Sequence, residues 1–149
     1  MIRQATTADL PELVGLKIQM HKEGGYADVL RDDAAAFMLQ TYQALYADRQ
    51  AQHFVIELES KIVSCAGGFI KTDMPYTFRK TPFYGYITDV YTVPEHRSKG
   101  YATKLTEDVI GWLRENGVKD IRLMATEQGR KIYERMGFHP TDEMILSFE

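Results

Sequence analysis

The chain has 149 residues, 44% hydrophobic and 26% charged, enough for one domain over residues 1–149 with an ordinary core. A net charge of −3 argues against a general nucleic-acid binder, and no apolar run reaches the ~20 residues of a membrane helix. Met1–Thr6 lacks the apolar centre of a signal peptide, and the single cysteine, Cys65, excludes an internal disulfide framework and suits a reducing, cytoplasmic setting.

Ile2 to Gln4 reads as a short first strand. Thr7 is then expected to cap a helix with Pro11 and Glu12 in its first turn; Leu10, Leu13, Val14 and Ile18 keep a helical period to about His21. Gly24-Gly25 stop it. A second helix is expected within Tyr26–Ala47, with Phe37, Leu39, Tyr42 and Tyr46 among its larger side chains. From His53 the period becomes two, with Phe54, Ile56 and Leu58 alternating against His53, Val55 and Glu57. A tight turn at Glu59-Ser60 leads into a second strand through Ile62 and Cys65 to about Ile70, a hairpin without Asn-Gly at its turn. Gly67-Gly68 in that strand predict a bulge or a close backbone approach. Lys71 to Tyr84 reads as a loop. Its Met74, Pro75, Tyr76, Phe78, Pro82 and Phe83 either pack onto the core or wall a pocket or dimer contact.

Tyr86 to Val93 is rich in β-branched and aromatic residues and is the best candidate for a central strand; Pro94 ends it. A basic turn follows, and Gly100 and Ala102 open an amphipathic helix on Leu105, Val109, Trp112 and Leu113 that Asn116-Gly117 end. Gly111 within it is expected to permit close packing. A strand feeding a tight turn into a helix N-terminus gathers unpaired backbone N–H groups at the positive end of the helix dipole, and such a point binds phosphate. Gly100 lets the phosphate approach, Ala102 keeps the first turn slim, and Arg97, Lys99 and Lys104 offer countercharge. Ile121, Leu123 and Ala125 alternate as a further strand, Glu127 to Met136 form a shorter helix stopped by Gly137, and Met144, Leu146 and Phe148 alternate as a final strand. The predicted order is β-α-α-β-β-β-α-β-α-β.

Arg97-Ser98-Lys99-Gly100-Tyr101-Ala102 resembles the acyl-CoA pyrophosphate loop of the GNAT acetyltransferase superfamily, Arg/Gln-x-x-Gly-x-Gly/Ala. Downstream, Ile132-Tyr133-Glu134-Arg135-Met136-Gly137-Phe138 is similar to the family's Leu-Tyr-Glu-Lys-x-Gly-Phe. Thr126 stands where asparagine is common and Gly129 where alanine is common, which puts the asparagine's hydrogen bond to pantetheine in question. The resemblance spans nearly the whole chain. It implies an α/β fold with a mixed, mostly antiparallel sheet flanked by helices on both faces, and an N-acetyltransferase using acetyl-CoA as co-substrate. The acceptor would be a primary amine, small molecule or peptide, with no nucleic acid or membrane partner and a homodimer left open. Phosphates would lie on Ser98, Lys99, Gly100, Tyr101, Ala102 and Thr103, beside Arg97. Backbone groups of Tyr91, Thr92 and Val93 would meet pantetheine and thioester, and Thr126, Gly129 and Arg130 would also lie near the cofactor.

Acetyl transfer requires a neutral amine, which an alkylamine of pKa ~10.4 supplies to about one part in a thousand at pH 7, a cost of ~4–5 kcal/mol. A base reached through water, or an apolar site, must offset that. The oxyanion needs a donor, which a strand N–H beside a splay or bulge can provide. The resemblance assigns Tyr133 as the acid that protonates the departing thiolate; the other reading is a half-buried aromatic anchoring its helix. The resemblance makes Asp89 the candidate base, since it would lie on the strand beside the thioester, where some relatives carry a carboxylate, and a carboxylate in an apolar strand needs a reason to be there. The other reading is a structural acceptor of backbone N–H bonds. Glu23, Asp28, Asp32 and Asp33 form an acidic segment that would draw a cationic amine, or else a solvated helix end. His21, His53, His96 and His139 lack ligand spacing, so no metal site is expected, and Cys65 reads as core. The competing function is a non-catalytic acyl-CoA-binding regulatory module. A dinucleotide-binding fold is disfavoured, since Gly-x-Gly-x-x-Gly and alternating βαβ order are missing.

Overall fold

The structure, a computed structural model, describes residues 1–74 and 81–148; Pro75, Tyr76 and Phe78 of the expected loop lie outside them. A five-stranded sheet runs in the order β1 (Ile2–Gln4), β2 (Ala51–Leu58), β3 (Lys61–Thr72), β4 (Phe83–Thr92) and β5 (Ile121–Leu123). The first three pairings are antiparallel and β4–β5 is parallel. Helices α1 (Leu10–Glu23) and α2 (Ala34–Ala47) cover one face, α3 (Tyr101–Glu115) the other, and α4 (Arg130–Arg135) follows β5. This is the mixed, mostly antiparallel α/β architecture expected.

The period-two pattern splits each strand between two cores. Val55, Cys65 and Tyr91 pack with Leu10, Leu13, Val14 and Tyr42 on the α1–α2 side. Their neighbours Ile56, Ala66 and Val90 pack with Leu105, Val109 and Leu113 of α3. Two glycines permit that packing: a Cβ on Gly68 would lie 2.7 Å from Val109 Cγ1, and one on Gly67 2.8 Å from His53 Nε2. The hairpin turn is built by Glu59 and Ser60, both at positive φ, the geometry that matches strand twist in a two-residue turn.

Several expectations change. The chain enters α1 through a 3-10 turn, Thr7–Asp9, that Thr6 caps in place of Thr7, with the Thr6 N–H donating to Asp9 at 2.7 Å; the residue at the N-cap of α1 itself is Asp9. Arg3 in turn donates to both Asp9 oxygens, at 2.8 and 2.9 Å. The expected 71–84 loop is shorter, because Lys71 pairs with Tyr84 and Thr72 with Phe83 in the ladder. A Cβ on Gly111 would meet no atom within 4 Å, so this glycine faces open space rather than a packed neighbour. Residues 138–148 hold no helix or strand. Met144 and Phe148 are 93% and 92% exposed: alternation sets the two faces of a strand but supplies no ladder partner, and β5 beside it is only three residues long.

Candidate active site

Strands β4 and β5 pair only as far as Ile87 and Leu123, while β4 continues to Thr92. The sheet therefore opens beyond Ile87, and a cleft of about 910 Å³ occupies the opening. Val90, Tyr91 and Thr92 form one wall and Thr126, Gln128, Gly129 and Ile132 the other; Arg97, Ser98 and the first turn of α3 close the end. Gly100 sits at φ +78, the left-handed conformation that favours glycine, and a Cβ there would point into open space. No side chain caps α3, so the N–H groups of its first turn face the cleft unclaimed by side chains.

Of the residues expected to bind the cofactor, Tyr91, Thr92, Arg97, Ser98, Gly100, Tyr101, Ala102, Thr103, Thr126 and Gly129 line this cleft. Val93, Lys99 and Arg130 do not. Val93 turns into the core, Lys99 lies 3.5 Å from His96 Nδ1, and Arg130 lines the neighbouring hollow. Lys104, offered as countercharge, donates to Asp108 one turn on at 2.9 Å. The Thr126 hydroxyl accepts the Gly129 N–H at 3.1 Å and so shapes the turn into α4.

Arg97 is already ordered. Its Nε donates to the Thr92 carbonyl at 2.8 Å, its guanidinium stands 5.5 Å from the centre of the Tyr91 ring, and it donates to Glu23 at 2.7 Å. The Tyr91 hydroxyl donates to the other Glu23 oxygen at 2.6 Å. Burial first, and the Glu23 carboxylate next, push the Tyr91 phenol up to about 12; the same bonds from Tyr91 and Arg97 lower Glu23. Glu23 therefore belongs to the Arg97 end of the cleft. Asp33 of the same acidic segment is held by Arg31 at the surface.

Tyr133 lies in a second hollow of about 390 Å³, across the segment 124–133 from the first, with Tyr84, Tyr86 and Arg122 among its walls. Its ring meets Phe138 edge-on at 5.9 Å. Burial raises its pKa, and among the described residues its hydroxyl has no hydrogen-bond partner. Beside it, Arg122 and Lys71 stand over the Tyr84 and Tyr86 rings at 4.0 and 4.3 Å.

Asp89 faces the α1–α2 side, 4% exposed. Lys17 donates to one of its oxygens. Tyr42 at 2.5 Å and His53 Nε2 at 2.9 Å meet the other. Burial alone would raise this carboxyl, but His53 and Lys17 outweigh that and hold it well below the usual carboxylate range. Its partners are thus side chains rather than the backbone N–H groups considered from sequence. The Cys65 thiol, raised by burial, donates to the Asp89 carbonyl at 3.2 Å. Sequence reasoning passed over Lys17, Tyr42 and Tyr46 and weighed His53 only as a metal ligand. The one available signal was that His53 shares a strand face with buried Val55.

A sheet splayed beside an uncapped helix N-terminus, with a phenol beyond the opposite wall, is an arrangement compatible with an acyl-CoA-dependent transferase. The chain belongs to the acetyltransferase (GNAT) family, whose model matches residues 21–138. A predicted acetyltransferase from Clostridium acetobutylicum, solved with acetyl-CoA, is similar over 99% of this chain and 94% of its own at 27% identity and a TM-score of 0.87. A GCN5-related N-acetyltransferase from Ralstonia eutropha aligns over 99% and 97% at 26% identity and a TM-score of 0.82. N-alpha-acetyltransferase 30 of Schizosaccharomyces pombe is 36% identical over 63 residues, 40% of this chain and 42% of that protein. The match therefore spans less than half of that relative. Among the described residues no helix is long and apolar enough to cross a membrane.

Proposed function

We propose that this protein transfers the acetyl group of acetyl-CoA to a primary amine by direct attack within a ternary complex. The observation that carries the reading is the opening between β4 and β5, with α3's free N–H groups at one end and Tyr133 beyond the far wall. Pyrophosphate would sit on the N–H groups of residues 98–103 with Arg97 as countercharge. Pantetheine would run along Tyr91 and Thr92 towards the bulge of β4 at Asp89 and Val90.

The amine enters through the Tyr133 hollow, its carbon skeleton against Tyr84 and Tyr86. Its neutral form attacks the thioester carbonyl, a C–N bond forms, and the oxyanion is held by a backbone N–H that the bulge leaves outside the ladder. Collapse breaks the C–S bond, and Tyr133, kept protonated by burial, donates to the thiolate. The amine proton passes to water, and the Tyr133 phenolate takes a proton back from solvent, so that each turnover leaves the phenol as it was. Asp89 is a poor proton acceptor while three donors hold it, and its part in the reaction is to position. The setting proposed is the cytoplasm.

The test is CoA release from acetyl-CoA in the presence of amines, amino acids, polyamines and peptides, followed with a thiol reagent. Amine-dependent release with the acetylated amine identified by mass supports the reading. Tight CoA binding with no turnover on any acceptor would favour the regulatory module instead.

A further inference from the structure

The pairing of β3 and β4 slips at one place. Cys65 faces Tyr91 and Gly67 faces Thr88, so Asp89 and Val90 together stand opposite Ala66. Asp89 lies at φ +60, the left-handed region that costs a non-glycine residue energy, though Asp bears it better than most, and one that glycine often supplies at a bulge. Strain of this kind persists only where the surroundings over-determine it. Here they do. The carboxylate is fastened to Lys17 on α1, Tyr42 on α2 and His53 on β2, and the carbonyl to Cys65 on β3.

Behind Asp89 the chain of contacts continues. His53 is fully buried. Its Nδ1 lies 2.8 Å from the Tyr46 hydroxyl, whose oxygen also accepts the His53 backbone N–H at 2.8 Å. A single tautomer satisfies every atom: Nε2–H donates to Asp89, and Nδ1 accepts the Tyr46 proton. Gly67, facing Thr88 across the slip, is what lets His53 reach Asp89, because a Cβ there would lie 2.8 Å from Nε2. A core built for stability alone would put glycine at the strained position and apolar groups around it. Instead four elements converge on one backbone unit whose next residues, Val90 and Tyr91, form the cleft wall.

We propose that Lys17, Tyr42 and His53 form a cage that locks Asp89 in its left-handed conformation and thereby aims the β4 bulge N–H at the thioester carbonyl. His53 is on this view a positioning residue for acetyl transfer. The inference rests on the acetyl-transfer reading above.

The test compares His53→Leu, His53→Gln, Gly67→Ala and Tyr42→Phe with the parent. Three quantities are measured: kcat; calorimetric Kd for CoA; and Kd for the analogue in which a methylene replaces the thioester sulphur of acetyl-CoA, which keeps the carbonyl. His53→Leu and Gly67→Ala should lower kcat about tenfold or more, below the ~100–1000-fold of deleting an oxyanion donor outright, with Kd for CoA within about twofold of the parent. Both should also lose the parent's preference for the analogue over CoA. His53→Gln, which keeps a donor near the Nε2 position, should recover much of both. Folded variants with parental kcat and parental analogue preference would overturn the proposal, as would an equal loss of CoA affinity. If His53→Leu and Gly67→Ala fail to fold, Tyr42→Phe, which removes one hydroxyl, decides by the same quantities. Should the parent acetylate no amine, the acetyl-transfer reading falls by itself, and the analogue-to-CoA ratio still decides whether the cage aims the bulge.

Discussion

Glu23 and Arg97 are joined at 2.7 Å across the mouth of the cofactor cleft, one at the end of α1 and the other in the turn before α3. On the proposed reading the guanidinium that would meet the phosphates is held by a carboxylate of the same chain, which an incoming pyrophosphate would displace. Glu23→Gln keeps an acceptor for Tyr91 but removes the competing charge. It should tighten CoA binding by roughly two- to fivefold, the scale of an exposed ion pair, and leave KM for the amine unchanged. Calorimetry on CoA with steady-state kinetics on the amine checks both, and a change confined to the amine would return Glu23 to the acceptor side.

Gly100→Val tests the phosphate turn. The variant would force a β-branched residue to φ +78, costing about 1–2 kcal/mol in stability, and would place side-chain atoms where phosphate approaches. CoA affinity should fall at least tenfold while circular dichroism stays native. Native affinity in a folded variant would show that phosphate binds elsewhere.

Tyr133→Phe removes a hydroxyl that no described residue engages. Stability should stay close to the parent's, Kd for acetyl-CoA should be nearly unchanged, and kcat should drop by roughly 100-fold if the phenol is the acid. An unaltered kcat would mean that solvent protonates the thiolate or that another step limits turnover.

The bond from Arg3 holds Asp9 down to about 2, against ~3.9 in an unfolded chain. The ionised form is favoured in the fold, so the stabilisation is complete above about pH 4 and is lost as pH falls towards 2. Asp89, lowered within its cage, adds a loss of the same sign that extends further into acid. The Tm should therefore decline below pH 4, and Asp9→Asn should lower Tm at pH 7 while making that decline shallower. An identical acid limb in the variant would remove Asp9 from the account.

The turn before α3 was legible because its requirements are local. Pro94 fixes its own φ and ends the strand, Gly100 permits the left-handed turn and Ala102 keeps the first turn slim, all within nine residues and whatever surrounds them. The α4 motif was legible for the same reason. The final strand was not, since the alternation of Met144, Leu146 and Phe148 fixes two faces but not a partner. The Glu23–Arg97 pair was not legible, because it depends on where α1 ends relative to a turn 74 residues later.

By itself the sequence determined the order of the elements from β1 through α4, the two-faced burial of the sheet and the uncapped helix N-terminus after β4, all consequences of periodicity and backbone freedom over short spans. Only the tertiary structure decided what Asp89 does. Its partners come from α1, α2 and β2, separated from it by 72, 47 and 36 residues, and no local pattern encodes which donors a buried carboxylate will meet. That choice is made by helix packing against the sheet, where burying a charge is tolerable only if every oxygen finds a donor.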